Sequence, residues 1–140
     1  SKVLTADSSG DTVHGTGQFR ALTFADTSVS LTSASSVNID LSLGNVFYIT
    51  AGHNITFTYS NPPASPQGYG FTLKVTQAGS GGPYSLTWPS TVRWPSGSVP
   101  TLTGTASSVE MFVFFTHDQG SNYYGFHVGT NLSGSGGTSS

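Results

Sequence analysis

The chain has 140 residues, of which only four are Lys or Arg and six are Asp or Glu, and it has no cysteine. This length favours one domain, and the net charge of −2, without a basic stripe, argues against nucleic acid and against an anionic membrane surface as partners. The absence of cysteine excludes disulfides, so packing, hydrogen bonds or association with other chains must stabilise the fold.

We predict one β domain over residues 1–132. Its first residues offer few apolar side chains to a hydrophobic core, so we expect residues 1–14 to form an extended N-terminal arm. Two strand candidates follow, "QFRALTF" and "SVSLT", at 18–24 and 28–32.

Apolar and polar residues alternate with period two through the middle of the chain, in "SVNIDLS", "NITFTY" and "GFTLKVTQ". This pattern is typical of half-buried strands. "NVFYIT" and "YSLTW" are further candidates, separated from the others by Pro, Gly and Asn turn residues. The predicted inward side chains are Val37, Ile39, Leu41, Ile55, Phe57, Tyr59, Phe71, Leu73 and Val75.

The run "SVEMFVFFT" at 108–116 has apolar residues on both faces and predicts a central strand. We expect its core face to comprise Val109, Met111, Val113 and Phe115. "THDQGS" then predicts a hairpin loop before the last strand, "NYYGFHVG". About 8–10 short strands at this spacing predict an all-β fold, an antiparallel β-sandwich of jelly-roll type.

Each of the two tryptophans is followed by proline, in "TWP" and "RWP". Proline removes a backbone donor and favours extended geometry in the preceding residue, so both segments read as strand ends. We expect Trp88 and Trp94 to cover one end of the core, with a sugar-stacking platform as the alternative.

Catalytic patterns are weak. The six carboxylates are scattered and form no acid–base pair at a recognisable spacing. The histidines at 14, 53, 117 and 127 show no metal-binding spacing, although His117 and His127 flank the predicted hairpin and could face each other. We therefore expect no enzymatic activity, no cofactor and no metal site.

Four separated motifs carry a resemblance to a known family: "GNVF" at 44–47, "NITFTYSNPP" at 54–63, "LTWPSTVRWPSG" at 86–97, and "VEMFVFFT" followed by "YYGF". Together they span about residues 37–128. They resemble a small β domain that recurs in virion structural proteins of tailed bacteriophages, among them decoration, tail and fibre proteins. The resemblance implies a noncatalytic module displayed on the head or tail.

The leading functional expectation is a capsid decoration or cement protein, made in the host cytoplasm and located in the virion. Its partner would be a phage major capsid or tail protein. The alternative is a tail-fibre or receptor-binding module that contacts host surface carbohydrate, and a cell-wall hydrolase is a third hypothesis that the scattered carboxylates disfavour. Tyr69, Trp94 and Tyr123 are the aromatic candidates for contacts with a partner or a glycan.

The Gly/Ser-rich tail at 133–140, "SGSGGTSS", has no apolar side chain and cannot by itself offset the entropy lost on ordering. We expect a homo-oligomer, with a trimer favoured, in which one or both termini hold neighbouring chains together by backbone pairing. Ser133 and Ser140, at the ends of the tail, are the candidate contacts.

Overall fold

The computed structural model describes residues 5–8, 10–13, 15–134 and 136–140. The fold is all-β, as predicted, with one short 3₁₀ turn at Pro95–Gly97. Within the described residues the strands are β1 Ser28–Ser30, β2 Ser36–Asp40, β3 Val46–Ala51, β4 Ile55–Ser60, β5 Tyr69–Gln77, β6 Leu86–Thr87, β7 Val92–Arg93, β8 Val109–Thr116 and β9 Tyr123–Gly129.

The strands form two sheets, between which the first half of the chain alternates. The large sheet has the order β1-β3-β5-β8-β9-β7, and the small sheet has the order β2-β4-β6. Odd-numbered strands up to β5 lie in the large sheet, and even-numbered strands up to β6 lie in the small one. Within each sheet, each of these strands pairs in parallel with the strand two places earlier in the chain.

Only β5 with β8 and β8 with β9 pair antiparallel, whereas the other five pairings of the described chain are parallel. The prediction of antiparallel sheets is therefore wrong. Period-two alternation reports burial of one face and is the same for parallel and antiparallel neighbours, so the sequence pattern could not distinguish them. These parallel pairings also depart from the antiparallel connectivity of a jelly roll.

One hydrophobic core is shared by the two sheets. Tyr59 of β4 shows the contact most directly, because its ring lies 5.2 Å from Phe71, 5.6 Å from Phe114 and 4.9 Å from Tyr123. All three partners belong to the large sheet. Edge-to-face packing of this kind adds to the stabilisation from area burial alone.

The predicted inward residues of β2, β4 and β5, and Leu41 directly after β2, are confirmed as buried, apart from Tyr59, which is partly buried. The predicted core face of β8 is wrong. Phe112 and Phe114 are buried, whereas Val109, Met111 and Val113 are partly exposed and Phe115 is exposed. Glu110 and Thr116 share the buried face, and these polar residues made the opposite face look more apolar in sequence.

The N-terminal region is longer and less regular than predicted. The stretch 18–24 is not a strand, and residues 10–13 and 15–27 are exposed throughout; we call these residues the N-terminal arm. The predicted arm over 1–14 is described only at 5–8 and 10–13, so the remaining positions, including His14, lie outside the described residues.

Candidate assembly surface

The side of the large sheet that faces away from the core carries apolar side chains side by side on β8 and β9, and Tyr48 on β3 is separated from them by Lys74 of β5. In the pairing of β8 with β9, Val113 lies opposite Phe126 and Phe115 lies opposite Tyr124. Residues directly opposite each other in neighbouring strands project from the same face. We call this surface the outer face and define it by Tyr48, Met111, Val113, Phe115, Tyr124, Phe126 and Val128.

Strand alternation creates this surface. Phe112 and Phe114 point into the core, so their neighbours Val113 and Phe115 must point outward. In β9, Tyr123 and Gly125 are buried and Phe126 is exposed for the same reason. A soluble protein rarely displays so many large apolar side chains together unless the patch takes part in an interaction.

Two basic side chains lie on the strands of the outer face, and Asp26 lines a cavity beside Thr72 and Val113. Lys74 of β5 lies between Tyr48 and Met111 in the strand pairing, and Arg93 of β7 lies opposite Tyr124. Arg93 donates a hydrogen bond from Nε to Asn122 Oδ1 at 2.8 Å.

The loop between β8 and β9 is ordered by one carboxylate. Asp118 accepts hydrogen bonds from the Asn122 backbone N–H at 3.0 Å, from Asn122 Nδ2 at 2.9 Å and from Thr116 Oγ1 at 3.0 Å. The bonds from Asn122 come first among the causes that lower the pKa of Asp118 to about 2. The carboxylate thus fixes the end of the hairpin that carries most of the outer face.

A second carboxylate lies inside the fold. Glu110 is buried, and its Oε2 lies 2.7 Å from His127 Nε2, while its Oε1 accepts the Thr103 backbone N–H at 2.8 Å. Burial raises the pKa of Glu110, but the hydrogen bonds from Thr103, His127 and Thr130 outweigh it and leave this pKa below its ordinary value. The arrangement ties β8, β9 and the segment before β8 together.

The two tryptophans cover one end of the core, as predicted. Trp88 stacks on Phe57 with 5.3 Å between ring centroids and meets Trp94 edge-on at 5.4 Å. Outside them lies a groove of about 650 Å³, whose lining includes Trp88, Arg93, Trp94 and Val99. Indole rings from Trp88 and Trp94 and the guanidinium of Arg93 could together bind a sugar ring, by stacking and by hydrogen bonds to its hydroxyls.

The aromatic contact candidates from the sequence are less accessible than expected. Trp94 and Tyr123 are buried core residues, so neither forms an exposed contact in the single chain. Tyr69 is partly buried, and its hydroxyl donates a hydrogen bond to the Gly44 carbonyl. Burial and the neighbouring Tyr123 raise the pKa of Tyr69 to about 12.

Ser133 and Ser140 are exposed, and they lie in the tail rather than on the outer face. The two hairpin histidines do not face each other. His127 lies opposite Phe112 and bonds to Glu110, whereas the His117 ring lies near Phe115 and Tyr124.

Phe126 and Val128 were not among the contact residues predicted from the sequence. The signal was present in "NYYGFHVG", where Tyr124, Phe126 and Val128 alternate on one face, but the strand was not assigned an inward and an outward side.

Among the described residues, no three His, Asp or Glu side chains are grouped so as to hold a metal ion. Nor does the described part of the chain contain a helix long and apolar enough to cross a membrane. No family model matches this sequence, and no curated protein or solved structure is significantly similar to it.

Proposed function

We propose that this chain is a bacteriophage virion structural protein that serves as a capsid decoration or cement protein. It binds a major capsid or tail protein on the particle and acts by binding rather than by catalysis. The finer fold that we propose is a β-sandwich of one mixed sheet and one parallel sheet, displayed on the particle surface.

One observation carries this proposal: the outer face presents aromatic and aliphatic side chains on a rigid sheet. Tyr124, Phe126 and Val128 alternate along β9, and Phe115 lies beside Tyr124 in β8. Strands hold such side chains in fixed positions, so little entropy is lost when a partner covers them. Aromatic anchors are the residues that contribute most to protein–protein interfaces.

The electrostatic character of the chain agrees with this role. Ten charged residues in 140 leave few ion pairs to break when a surface is removed from water. The resemblance of the "NITFTYSNPP" and "LTWPSTVRWPSG" motifs to phage virion domains supplies the biological setting.

The test is the abundance of the chain in purified virions and its dependence on the outer face. Quantitative mass spectrometry of particles should find hundreds of copies per virion for a decoration protein and a handful for a tail protein. Particles assembled with the Phe126→Thr or Val128→Thr variant should retain less of the chain.

Val99→Thr is the matched control, because Val99 and Val128 are similarly exposed, at 59% and 57%, and Val99 lies in the tryptophan groove. Absence of the chain from purified virions would refute the proposal, and equal retention of all variants would show that the outer face is not the assembly surface.

The tryptophan groove favours a second candidate function, a tail-fibre or receptor-binding module for host surface carbohydrate. If it operates, purified host polysaccharide should change the tryptophan fluorescence, because Trp88 and Trp94 line the groove. Arg93→Gln should weaken that response, whereas Lys74→Gln, which changes a cation outside the groove, should leave it intact.

A further inference from the structure

The edge strands of the two sheets differ in length and in protection. Within the described residues, β1 has three residues and β6 and β7 have two each, whereas β2, Ser36–Asp40, has five. Soluble proteins keep sheet edges short or interrupt them with lysine, proline or a bulge. The β2 edge has none of these features, since its sequence is SVNID and its pairing with β4 is regular. It is therefore the edge best suited to accept another strand.

Backbone hydrogen bonds show which groups of β2 point toward this free edge. The Thr56 N–H of β4 donates to the Ser35 carbonyl at 3.0 Å, so the odd-numbered residues of this segment face β4. Alternate residues of a strand direct their backbone groups to opposite neighbours. The N–H and C=O groups of Ser36, Asn38 and Asp40 therefore point away from β4, along the open edge of the small sheet.

These outward groups are accessible. Ser36 and Asn38 are exposed, and in the described part of the chain no other segment forms a backbone hydrogen bond with them on this side. The Asp40 carbonyl accepts the Leu43 N–H at 3.2 Å and keeps one lone pair for a second donor. The two apolar residues of β2 are buried. The edge thus offers backbone groups rather than an apolar patch, so the partner that fits it is an extended strand.

We propose that β2 pairs antiparallel with β2 of a second copy, about a two-fold axis through Asn38. The two three-stranded sheets then join into one continuous sheet in the order β6-β4-β2-β2-β4-β6. This contact uses neither the outer face nor the tryptophan groove, so it goes beyond the proposed virion role.

The β2 sequence is complementary to itself, which favours a second copy as the partner. With the axis at Asn38, the two Asn38 residues lie opposite each other, and Ser36 of each copy lies opposite Asp40 of the other. Each of these pairs exchanges two backbone hydrogen bonds, so every outward group is used. No carboxylate faces another carboxylate, whereas an axis at Asp40 would place the two Asp40 side chains opposite each other.

The Asn38 side chain is prepared for this contact. Its Nδ2 donates to Ser60 Oγ at 2.8 Å, and its Oδ1 accepts a hydrogen bond from Thr58 Oγ1 at 3.0 Å. An amide has two N–H donors and two acceptor lone pairs, so one of each is still available. The bonds to β4 hold the amide in place before association, so little side-chain entropy is lost when it pairs with its equivalent across the axis.

The symmetry of the contact sets the size of the assembly. Two copies use the same edge, so the pairing closes after one step. Further growth of the joined sheet would need the β6 edge, which has only two residues. The expected particle is a dimer, which its mass distinguishes from the trimer expected from the sequence.

Sedimentation equilibrium of the purified full chain, at about 1–500 µM, measures this mass. The native chain should be a dimer in equilibrium with monomer. Asn38→Lys places two ammonium groups directly opposite each other and should weaken dimerisation about fivefold or more. Thr56→Lys is the matched control, because Thr56 is exposed on the same face of the small sheet but lies in its central strand. It should leave the dimer unchanged.

A mixture of variants separates strand pairing from folding. Asn38→Asp also places like charges opposite each other and should weaken the dimer. An equimolar mixture of the Asn38→Lys and Asn38→Asp chains should form heterodimers, since an ammonium group then lies opposite a carboxylate. Loss of the bonds to β4 affects both variants and their mixture alike, so only pairing at position 38 explains recovery in the mixture.

Cross-linking gives a second measurement if the charged variants do not fold. Opposed residues of a hydrogen-bonded antiparallel pair have Cα atoms about 5.5 Å apart, which a disulfide can span. The chain has no cysteine of its own. Mild oxidation should therefore convert Asn38→Cys, but not Thr56→Cys, into a covalent dimer.

A native chain that is monomeric throughout the concentration range would overturn the inference. So would an oligomer that Asn38→Lys and Thr56→Lys change equally, or cross-linking of Thr56→Cys as fast as that of Asn38→Cys. The dimer is measured in solution and the virion role on particles. A monomeric chain found in virions leaves the proposed function standing, and a dimeric chain absent from virions refutes that function alone.

Discussion

Glu110 Oε2 of β8 and His127 Nε2 of β9 lie 2.7 Å apart across the hairpin that these strands form, and the Glu110 side chain is buried. The imidazole also stacks on Phe112, with 4.8 Å between ring centroids and an interplanar angle of 15°. The His127 ring therefore forms a hydrogen bond to the buried Glu110 carboxylate through Nε2, and its face packs against Phe112. The pair lies near the start of β8, and Gln77, Ser108 and Thr116 are the other buried polar residues in the described part of the chain.

The hydrogen bond between Glu110 and His127 makes the free energy of unfolding depend on pH in the acidic range. The pKa of Glu110 is lower in the folded chain than its ordinary value of 4.5. A depressed carboxyl pKa contributes stability that is fully present above the unfolded value and is lost as pH falls through the folded one. We expect the free energy of unfolding to fall below about pH 4.5 more steeply in the native chain than in Glu110→Gln, measured by urea denaturation across pH 2–7.

Glu110→Ala tests the same residue at neutral pH. It leaves the Thr103 N–H and the His127 ring without their acceptor in a partly buried site, so we expect a loss of about 1–3 kcal/mol. Asp26→Ala, which removes an exposed carboxylate, should change stability by no more than about 0.5 kcal/mol. Equal effects would contradict a structural role for the buried pair.

Two adjacent phenylalanines of β8 give a direct test of strand orientation. Phe114 is 2% exposed and Phe115 is 45% exposed. Phe114→Ala should destabilise the chain by about 3–5 kcal/mol, because it opens a cavity among aromatic rings, whereas Phe115→Ala should cost about 1 kcal/mol or less. Thermal unfolding of the two variants decides between the observed orientation and the opposite one.

Gly125 is required by close packing. A Cβ at this position would lie 3.0 Å from atoms of Phe114, Trp94 and Val92. Gly125→Ala should therefore destabilise the fold by about 1–3 kcal/mol through overpacking. Gly70→Ala is the control in the same sheet, since its Cβ would meet only the Phe114 carbonyl oxygen at 3.5 Å, and it should be neutral or slightly stabilising.

The Asp118 loop yields a titration that NMR can follow. The carboxyl should titrate with a pKa of about 2, below the ordinary 3.8. Asn122→Ala removes the side-chain donor that ranks first among the causes of this shift, so the pKa should rise toward 3.8. An unchanged titration in that variant would show that the loop is held by other contacts.

Much of the strand content was predictable because alternation reports burial directly. The faces of β2, β4 and β5 agree with their apolar patterns, since few polar residues fall on the inward side. β8 misled the prediction because both of its faces are apolar and its buried face contains Glu110. The burial of Glu110 depends on His127 and Thr103, which are 17 and 7 residues away in sequence.

Only part of the outer face could be predicted from the sequence. Alternation in β9 showed that Tyr124, Phe126 and Val128 share a face, but the side that faces solvent depends on which side the small sheet covers. Trp94 and Tyr123 illustrate the same limit. Large aromatic side chains suit both cores and binding sites, and only the packing around Tyr59 and Phe114 places these two inside.

The sequence alone determined that this protein is all-β and poor in charge, because alternation and composition are local properties that each segment carries by itself. The tertiary structure decided the parallel stacking of the strands, the buried side of β8 and the exposure of the outer face and arm. These depend on which distant segments pair and which face each sheet turns toward the other, and that choice is made by the free energy of the whole core rather than by any one segment.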